Sequence, residues 1–488
     1  MQIIRSLPVV ICLSSILWAT SETDANRLIT EALKPSPIAS NLRKLTDEVG
    51  GRVTGTPAMD NAVAWAVEAF KAAGADSVHT EEFTMQASWA EGATEMRIVD
   101  PVSFPLHVVS LAWAPALAPQ KHVPVIDVGN GSPGEFEHAP NLAGAVLLVH
   151  QGEMKTWEDL DLEYEVATGI IDRALKAKAI AIAFQSTRPY GLMYRHTNTV
   201  AGEIDRIPMV LVSREDAGRV GRLLAAGKSV FADLAIPNQI GGQIKTANVI
   251  AEIRGSEKPQ EFAVLGAHLD SWELGTGALD NGCNAALVID ALRTIKASGL
   301  TPKRSIRFVL FSGEEEGLYG SRMYMAQHKD ELNNAVGMVN FDNGNGRATG
   351  FSLSGRKDIL KPAAKVVAPL KKFGATQLTT NAGVDTDNFD FMLEGIPTFN
   401  ANQVEANYLM NYHASSDTYD KVDIPQLKQL VADAVVVTFA LANDPDRIGP
   451  RLTRKQIEET LKETKLDQVL KDSGMWDDWV NGKRGRTD

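Results

Sequence analysis

The fold is decided by residues 262–317, which read FAVLGAHLDSWELGTGALDNGCNAALVIDALRTIKASGLTPKRSIRFVLFSGEEEG. One apolar run, Phe262–Gly266, comes just before His268, and a second, Ile306–Phe311, comes just before three glutamates. A helical pattern, Asn281–Ser298, separates the two runs. The segment therefore predicts a strand, a helix and a strand, with polar side chains just past the end of each strand.

The sequence on either side repeats this alternation. Further apolar runs typical of strands lie at 247–253, 336–341 and 396–399, and helical patterns lie at 321–327, 359–373, 424–442 and 453–472. Strands that alternate with helices predict an α/β fold with a mostly parallel central sheet flanked by helices. Residues 106–240 differ, because short strand-like runs there are separated by Gly and Pro, which predicts a smaller α+β unit.

Length and charge narrow the class of protein. The chain has 488 residues, which favours two globular units, and its hydrophobic content of 44% is ordinary for a soluble protein. The net charge of -12 argues against a nucleic-acid partner, which would need a basic surface.

The first residues have the pattern of an export signal. Arg5 provides a positive charge, the apolar run Leu7–Trp18 is too short to span a bilayer, and small residues follow at Ala19 and Ser21. A buried N-terminal helix is the alternative interpretation. We expect a signal peptide over residues 1–21, no membrane span, and a secreted or periplasmic protein.

Several His and acidic residues fall just past predicted strands or in the loops that follow. They are His268, Asp280, Glu314, Glu315, Asp342 and His413. Parallel topology brings such loops to one edge of the sheet, where ligands bind. Carboxylates gathered at one place repel each other, and divalent cations relieve that repulsion. Mixed His and carboxylate ligands suit zinc, with manganese and cobalt as alternatives.

The combined motifs resemble those of the co-catalytic dizinc exopeptidases, a family that includes aminopeptidase Y and plasma glutamate carboxypeptidase (carboxypeptidase Q). The matching elements are His268-Leu-Asp270, Asp280-Asn281-Gly282, Ser312-Gly-Glu314-Glu315 with Gly317, Asp342, and Tyr412-His413. The resemblance covers nearly the whole mature chain. It implies a zinc exopeptidase (phosphorylase/hydrolase-like) fold, with catalytic segments at 22–104 and 241–488 and an inserted protease-associated domain at 105–240.

The resemblance also implies a role for each site residue. Two Zn²⁺ ions per chain would share Asp280, with His268 and Asp342 completing one site and Glu315 and His413 the other. Asp270 would orient the ring of His268, Glu314 would be the general base, and Tyr412 would donate a hydrogen bond to the oxyanion. Gly317 fits the family spacing that selects Glu314 and Glu315 from the three glutamates.

The expected function is hydrolysis of a peptide bond near the end of short peptides or dipeptides by a metal-activated water. Two alternatives stay open: a one-zinc acyltransferase like a glutaminyl cyclase, and a catalytically inactive, receptor-like binding module. The choice between aminopeptidase and dipeptidase or carboxypeptidase is not made by the sequence, and a homodimer remains an option.

Overall fold

The structure, a computed structural model, describes residues 19–198 and 202–488. The predicted signal peptide, residues 1–21, lies outside the described residues except for its last three positions. Fifteen α-helices are described in these ranges. They are α1 Ala19–Ala32, α2 Ile38–Arg43, α3 Pro57–Ala73, α4 Pro133–His138, α5 Trp157–Lys176, α6 Arg214–Ala225, α7 Cys283–Ser298, α8 Tyr319–Gln327, α9 Leu360–Val367, α10 Asn388–Leu393, α11 Tyr408–Asn411, α12 Ile424–Asn443, α13 Arg454–Glu463, α14 Leu466–Asp472 and α15 Trp476–Val480.

Eighteen strands are described in the same ranges. They are β1 Ser77–Met85, β2 Ser88–Ala90, β3 Glu95–Asp100, β4 Phe104–Leu106, β5 Val108–Ser110, β6 Leu117–Asp127, β7 Val146–Val149, β8 Ala181–Gln185, β9 Met209–Val212, β10 Phe231–Ile236, β11 Gln239–Gly241, β12 Ile244–Ile253, β13 Lys258–His268, β14 Arg304–Phe311, β15 Ala335–Asn340, β16 Ala348–Ser352, β17 Gln377–Thr379 and β18 Thr398–Gln403.

The larger structural unit is built on an eight-stranded sheet in the order β1-β12-β14-β13-β15-β18-β16-β17. Its four central strands, β14, β13, β15 and β18, run parallel to one another, whereas β1, β12 and β16 pair antiparallel. Residues Phe262–His268 of β13 are all buried, as expected of a central parallel strand that is covered on both faces. The predicted α/β fold is confirmed.

The smaller unit contains a second eight-stranded sheet in the order β4-β3-β10-β6-β7-β8-β9-β5. Strands β6 to β9 are parallel, and helices α5 and α6 lie between consecutive strands of this group or directly after it. Because β3 pairs with β10, this sheet begins before the boundary expected at residue 105. Helix α5, which sequence analysis did not predict, begins at a capping box formed by Thr156 and Asp159.

Helices α7 and α12 cover one face of the large sheet, and α1 packs on both of these helices. Helix α7, which has 16 residues, directly follows the turn that contains Asp280, and nearly all of its side chains are buried. Helix α12 is long and apolar enough to cross a membrane by length and composition, but 67% of its most apolar window is buried inside the protein. It packs against α1 and α7, as the core helix of an α/β unit does.

Candidate active site

The predicted site residues meet at the carboxyl edge of the central parallel strands. His268 is the last residue of β13, Glu314 and Glu315 (the glutamate pair) follow β14, and Asp342 follows β15. Asp280 lies in the turn before α7, and His413 lies just after α11. Parallel pairing of β13, β14 and β15 aligns these strand ends, so residues up to 145 positions apart in sequence (268 to 413) share one site.

Asp280 stands between the two imidazoles. Its Oδ1 lies 3.2 Å from Nε2 of His268, and its Oδ2 lies 3.3 Å from Nε2 of His413. Asp342 Oδ1 lies 3.1 Å from the first imidazole, and Glu315 Oε2 lies 3.0 Å from the second. These contacts allow a division into two triads that share Asp280, as the resemblance implies. Among the described residues, the ligand atoms that all lie within 4.8 Å of one another form the groups His268–Asp280–Glu315 and His268–Glu314–Asp342, and His413 joins the first group through Asp280 and Glu315.

These triads fit tetrahedral zinc. Zinc bonds of 2.0–2.2 Å at tetrahedral angles separate neighbouring donor atoms by roughly 3.3–3.6 Å. The four distances above, 3.0–3.3 Å, lie at or slightly below the lower end of that range. Within the described ranges, Glu315 Oε1 is a buried atom without a hydrogen-bond partner, and Asp280 Oδ2 has only its ion-pair contact with His413, so both oxygens are suited to be metal ligands. Imidazoles and carboxylates are also both established zinc ligands, although the same donor set suits manganese and cobalt.

Burial and mutual charge perturb the ionisable groups. Burial raises the pKa of Asp342 to about 7, against the opposing effect of His268. Burial alone would lower the pKa of His413, but Glu315 and Asp280 outweigh it and raise that pKa to about 9. The pKa of Glu314 also lies well above its usual range, first because of burial and then because of Asp342 and Glu315. Strongly shifted pKa values of this kind concentrate at functional sites.

Asp270 occupies a different position from the one expected. Nδ1 of His268 bonds to the backbone carbonyl of Asp270 at 3.1 Å, whereas the carboxylate oxygen Oδ1 lies 3.7 Å away. The other carboxylate oxygen accepts a hydrogen bond from the backbone N–H of Glu315 at 3.1 Å. The residue therefore orients the imidazole through its main chain and the glutamate pair through its side chain.

Tyr412 packs directly on a predicted ligand. Its ring stacks on that of His413 with centroids 3.7 Å apart, and Trp157 of α5 meets it edge-on at 5.6 Å. Tyr164 and the glutamate pair lie close enough to affect its hydroxyl, and burial raises the pKa of Tyr412 well above its usual range. Tyr412 thus keeps its proton and remains a hydrogen-bond donor.

Two further residues hold the Asp280 turn, and sequence analysis did not assign them to it. Asp417 accepts hydrogen bonds from the backbone N–H groups of Leu279 at 2.7 Å and of Asp280 at 3.1 Å. Arg52, which is fully buried, donates to the backbone carbonyls of Thr276 and Gly277, each at 2.9 Å. No short motif identifies Arg52, because its contacts are to main-chain atoms more than 200 residues away.

Known proteins share both the fold and this part of the sequence. The sequence model of peptidase family M28 matches residues 248–438, a range that contains all of the predicted site residues. The segment that carries the site is therefore similar to peptidase family M28. Among proteins of known structure, a peptidase M28 precursor from Shewanella amazonensis SB2B superposes with a TM-score of 0.80 at 26% identity, covering 89% of this chain and 99% of that one.

Curated relatives extend the similarity over most of the chain. Mouse (Mus musculus) carboxypeptidase Q is 26% identical over 409 residues, which span 83% of this chain and 86% of the mouse protein. The probable lipoprotein aminopeptidase LpqL of Mycobacterium tuberculosis is 27% identical over 440 residues, which span 82% of each chain. The similarity therefore includes the smaller unit as well as the matched catalytic segment.

The shared carboxylate predicts a metal-dependent stability. Zn²⁺ added to chelator-treated protein stabilises the folded form by about 2.7 kcal/mol at 100 times the Kd, because it binds the native state. Asp280→Asn removes the negative charge that both triads share and replaces one of the two ligand oxygens with an NH2 group, so we expect a much smaller rise in Tm with zinc. The control is Asp433→Asn, which changes an equally buried carboxyl in α12. An equal zinc-dependent rise in both variants would contradict the assignment.

Proposed function

We propose that this metallopeptidase, which acts on peptide termini, is a dizinc exopeptidase for short peptides. The observation that carries the proposal is the division of Asp280 between two imidazole–carboxylate pairs, with one oxygen facing each. His268, Asp280 and Asp342 would hold one zinc ion, and Asp280, Glu315 and His413 would hold the other. When bound, zinc ions in such pairs polarise the scissile carbonyl and lower the pKa of a water molecule.

Glu314 is the general base in this proposal. Its Oε2 lies 3.9 Å from Nε2 of His268, and it is the carboxylate beside the site that neither triad uses. Burial raises its pKa, which brings a carboxylate closer to the operating pH, where proton transfer is most effective. Glu314 would take a proton from the attacking water and deliver it to the leaving amine.

Tyr412 is the proposed oxyanion donor. Because its ring is fixed between His413 and Trp157, its hydroxyl is held in one place. A donor that is already oriented stabilises developing negative charge without reorganisation in the transition state. The two alternatives from sequence analysis are less consistent with this geometry. A one-zinc cyclase does not require a second complete triad of ligands, and a catalytically inactive binding module does not require a general base.

The charges around the site favour recognition of a free amino terminus. Among the described residues, the buried arginines beside the site are already engaged. Arg188 lies 3.5 Å from Glu163, and Arg195 forms ion pairs with Glu91 and Glu273. A substrate α-carboxylate would therefore have to displace an existing partner.

Asp387, in contrast to these arginines, is a buried charged residue near the site that has no oppositely charged Lys or Arg partner among the described residues. It is 1% exposed and lies close enough to Glu314 to raise the pKa of that base. Burial raises the pKa of Asp387 itself well above its usual range. An α-ammonium group would supply the positive charge that this side of the site lacks. We therefore infer an aminopeptidase-type or dipeptidase substrate with an unblocked amino group.

An exported location completes the proposal. The N-terminal pattern of Arg5 and the apolar run that follows is typical of a signal peptide. The name of the mycobacterial relative describes a lipoprotein, which is consistent with an envelope or extracellular location for this chain too.

The base assignment is tested with two neighbouring glutamates. Glu314→Gln should lower kcat by about 10²–10⁴-fold, which is the usual contribution of a general base, while the protein still binds zinc. Glu316→Gln is the matched control, because Glu316 accepts a hydrogen bond from the backbone N–H of Thr54 and burial raises its pKa well above the usual range. If Glu316→Gln lost more activity than Glu314→Gln, the assignment of the base would be wrong.

The terminus preference is tested with a dipeptide panel. We expect kcat/KM for a free dipeptide to fall at least about tenfold when its amino group is acetylated, equivalent to about 1.4 kcal/mol of lost transition-state binding. Amidation of the carboxyl group should change kcat/KM less. A larger loss on amidation would indicate a carboxypeptidase. The same assays in the presence of a chelator would measure the background hydrolysis that does not depend on a metal ion.

A further inference from the structure

The loop that carries His413 is held by the smaller unit. The backbone N–H of Arg195 donates to the carbonyl of His413 at 3.0 Å, and the N–H of Ser415 donates to the carbonyl of Met193 at 2.9 Å. These bonds flank an antiparallel bridge between Tyr194 and Ala414. A metal-ligand residue of the large unit therefore forms part of a short strand ladder with residues of the smaller one.

The backbone of His413 needs this support. Its φ is +58°, in the left-handed region that is unfavourable for a residue with a Cβ atom. Such a conformation persists where surrounding structure fixes it, and such positions cluster at active sites. Ala414, the next residue, is buried in the apolar cluster of the smaller unit. The ladder and this burial together fix the direction from which the imidazole enters the site.

A buried ion pair lies directly behind the ladder. Arg188 and Glu163 are 0% and 5% exposed, and Arg188 Nη1 lies 3.5 Å from Glu163 Oε2. Glu163 also accepts a hydrogen bond from Thr187 at 3.1 Å and one from the hydroxyl of Tyr194. Arg188 Nη2 donates to the carbonyl of Tyr412 at 3.4 Å.

This pair connects the two sides of the ladder. The guanidinium carbon of Arg188 lies 4.0 Å from the centroid of the Tyr194 ring, so one side chain contacts both the bridge residue and the main chain before His413. Burying two charges costs desolvation energy, and an apolar pair would pack as well. An apolar pair would lack the donor that reaches the Tyr412 carbonyl and the acceptor that orients Tyr194.

We propose that Arg188 and Glu163 are positioning residues for the metal site formed by Asp280, Glu315 and His413. They fix the Tyr412–His413 backbone and thereby raise the affinity of that site for a divalent cation. The other site shares only Asp280 with this one, because its remaining residues, His268 and Asp342, are placed by β13 and β15 of the large sheet. This inference rests on the proposed dizinc function.

The experiment titrates chelator-treated protein with Co²⁺ alone and with Zn²⁺ alone against a competing chelator. The wild type should bind two ions per chain. In Glu163→Gln and in Arg188→Met, we expect the affinity for one ion to fall by roughly 10–100-fold, the effect typical of residues that orient a metal ligand. The affinity for the other ion should be unchanged. The Co²⁺ absorption spectrum should change only for the weakened site.

A matched control and a second variant distinguish positioning from general damage. Asp127→Asn breaks a different ion pair of the same unit, with His150, in which the oxygen–nitrogen distance is 2.9 Å, and both affinities should stay at the wild-type values. Arg188→Lys keeps the charge and should recover part of the affinity lost in Arg188→Met. Because it keeps a positive charge opposite Glu163, it also provides the measurement if Arg188→Met does not fold.

The outcomes separate this inference from the proposed function. If the wild type binds two ions and both affinities are unchanged in Glu163→Gln and Arg188→Met, positioning by this pair is wrong and the dizinc function stands. An equal loss at both sites would also overturn it. Fewer than two ions in the wild type would instead overturn the dizinc function, and this inference with it.

Discussion

Asp280 presents one carboxylate oxygen to each of two buried imidazoles, and two further carboxylates lie within 3.1 Å of those rings. Anionic groups held this close in a buried site repel one another and shift each other's pKa. Cations bound at the two proposed triads would relieve that repulsion. Much of the surrounding structure keeps this one side chain in place: Asp417 and Arg52 bond the main chain of its turn, and α7 begins directly after it.

The site is assembled by both units of the chain. The central parallel strands place His268, the glutamate pair and Asp342, because aligned strands end at a common edge. No strand of that sheet places His413 directly. Its main chain is bonded instead to residues 193–195 of the smaller unit. The smaller unit therefore supports one side of the proposed active site. The similarity to the relatives covers both units.

The sequence was informative where regular geometry controls the structure. Buried parallel strands appear as continuous apolar runs, so β13, β14 and β15 and the polar residues after them were predictable. Helix α5 was missed, although Thr156 and Asp159 have capping-box spacing, because its charged residues dilute the apolar pattern. The contacts of Arg52 and the main-chain role of Asp270 depend on tertiary geometry, which leaves no spacing signal.

The central claim is that two cations share Asp280, and anomalous diffraction from crystals grown with zinc tests it most directly. The account predicts two peaks per chain about 3.5–4 Å apart, the separation of co-catalytic metal pairs. One peak should lie between His268 and Asp342, the other between Glu315 and His413, with an oxygen of Asp280 bonded to each. A single peak, or two peaks that do not share Asp280, would contradict the account.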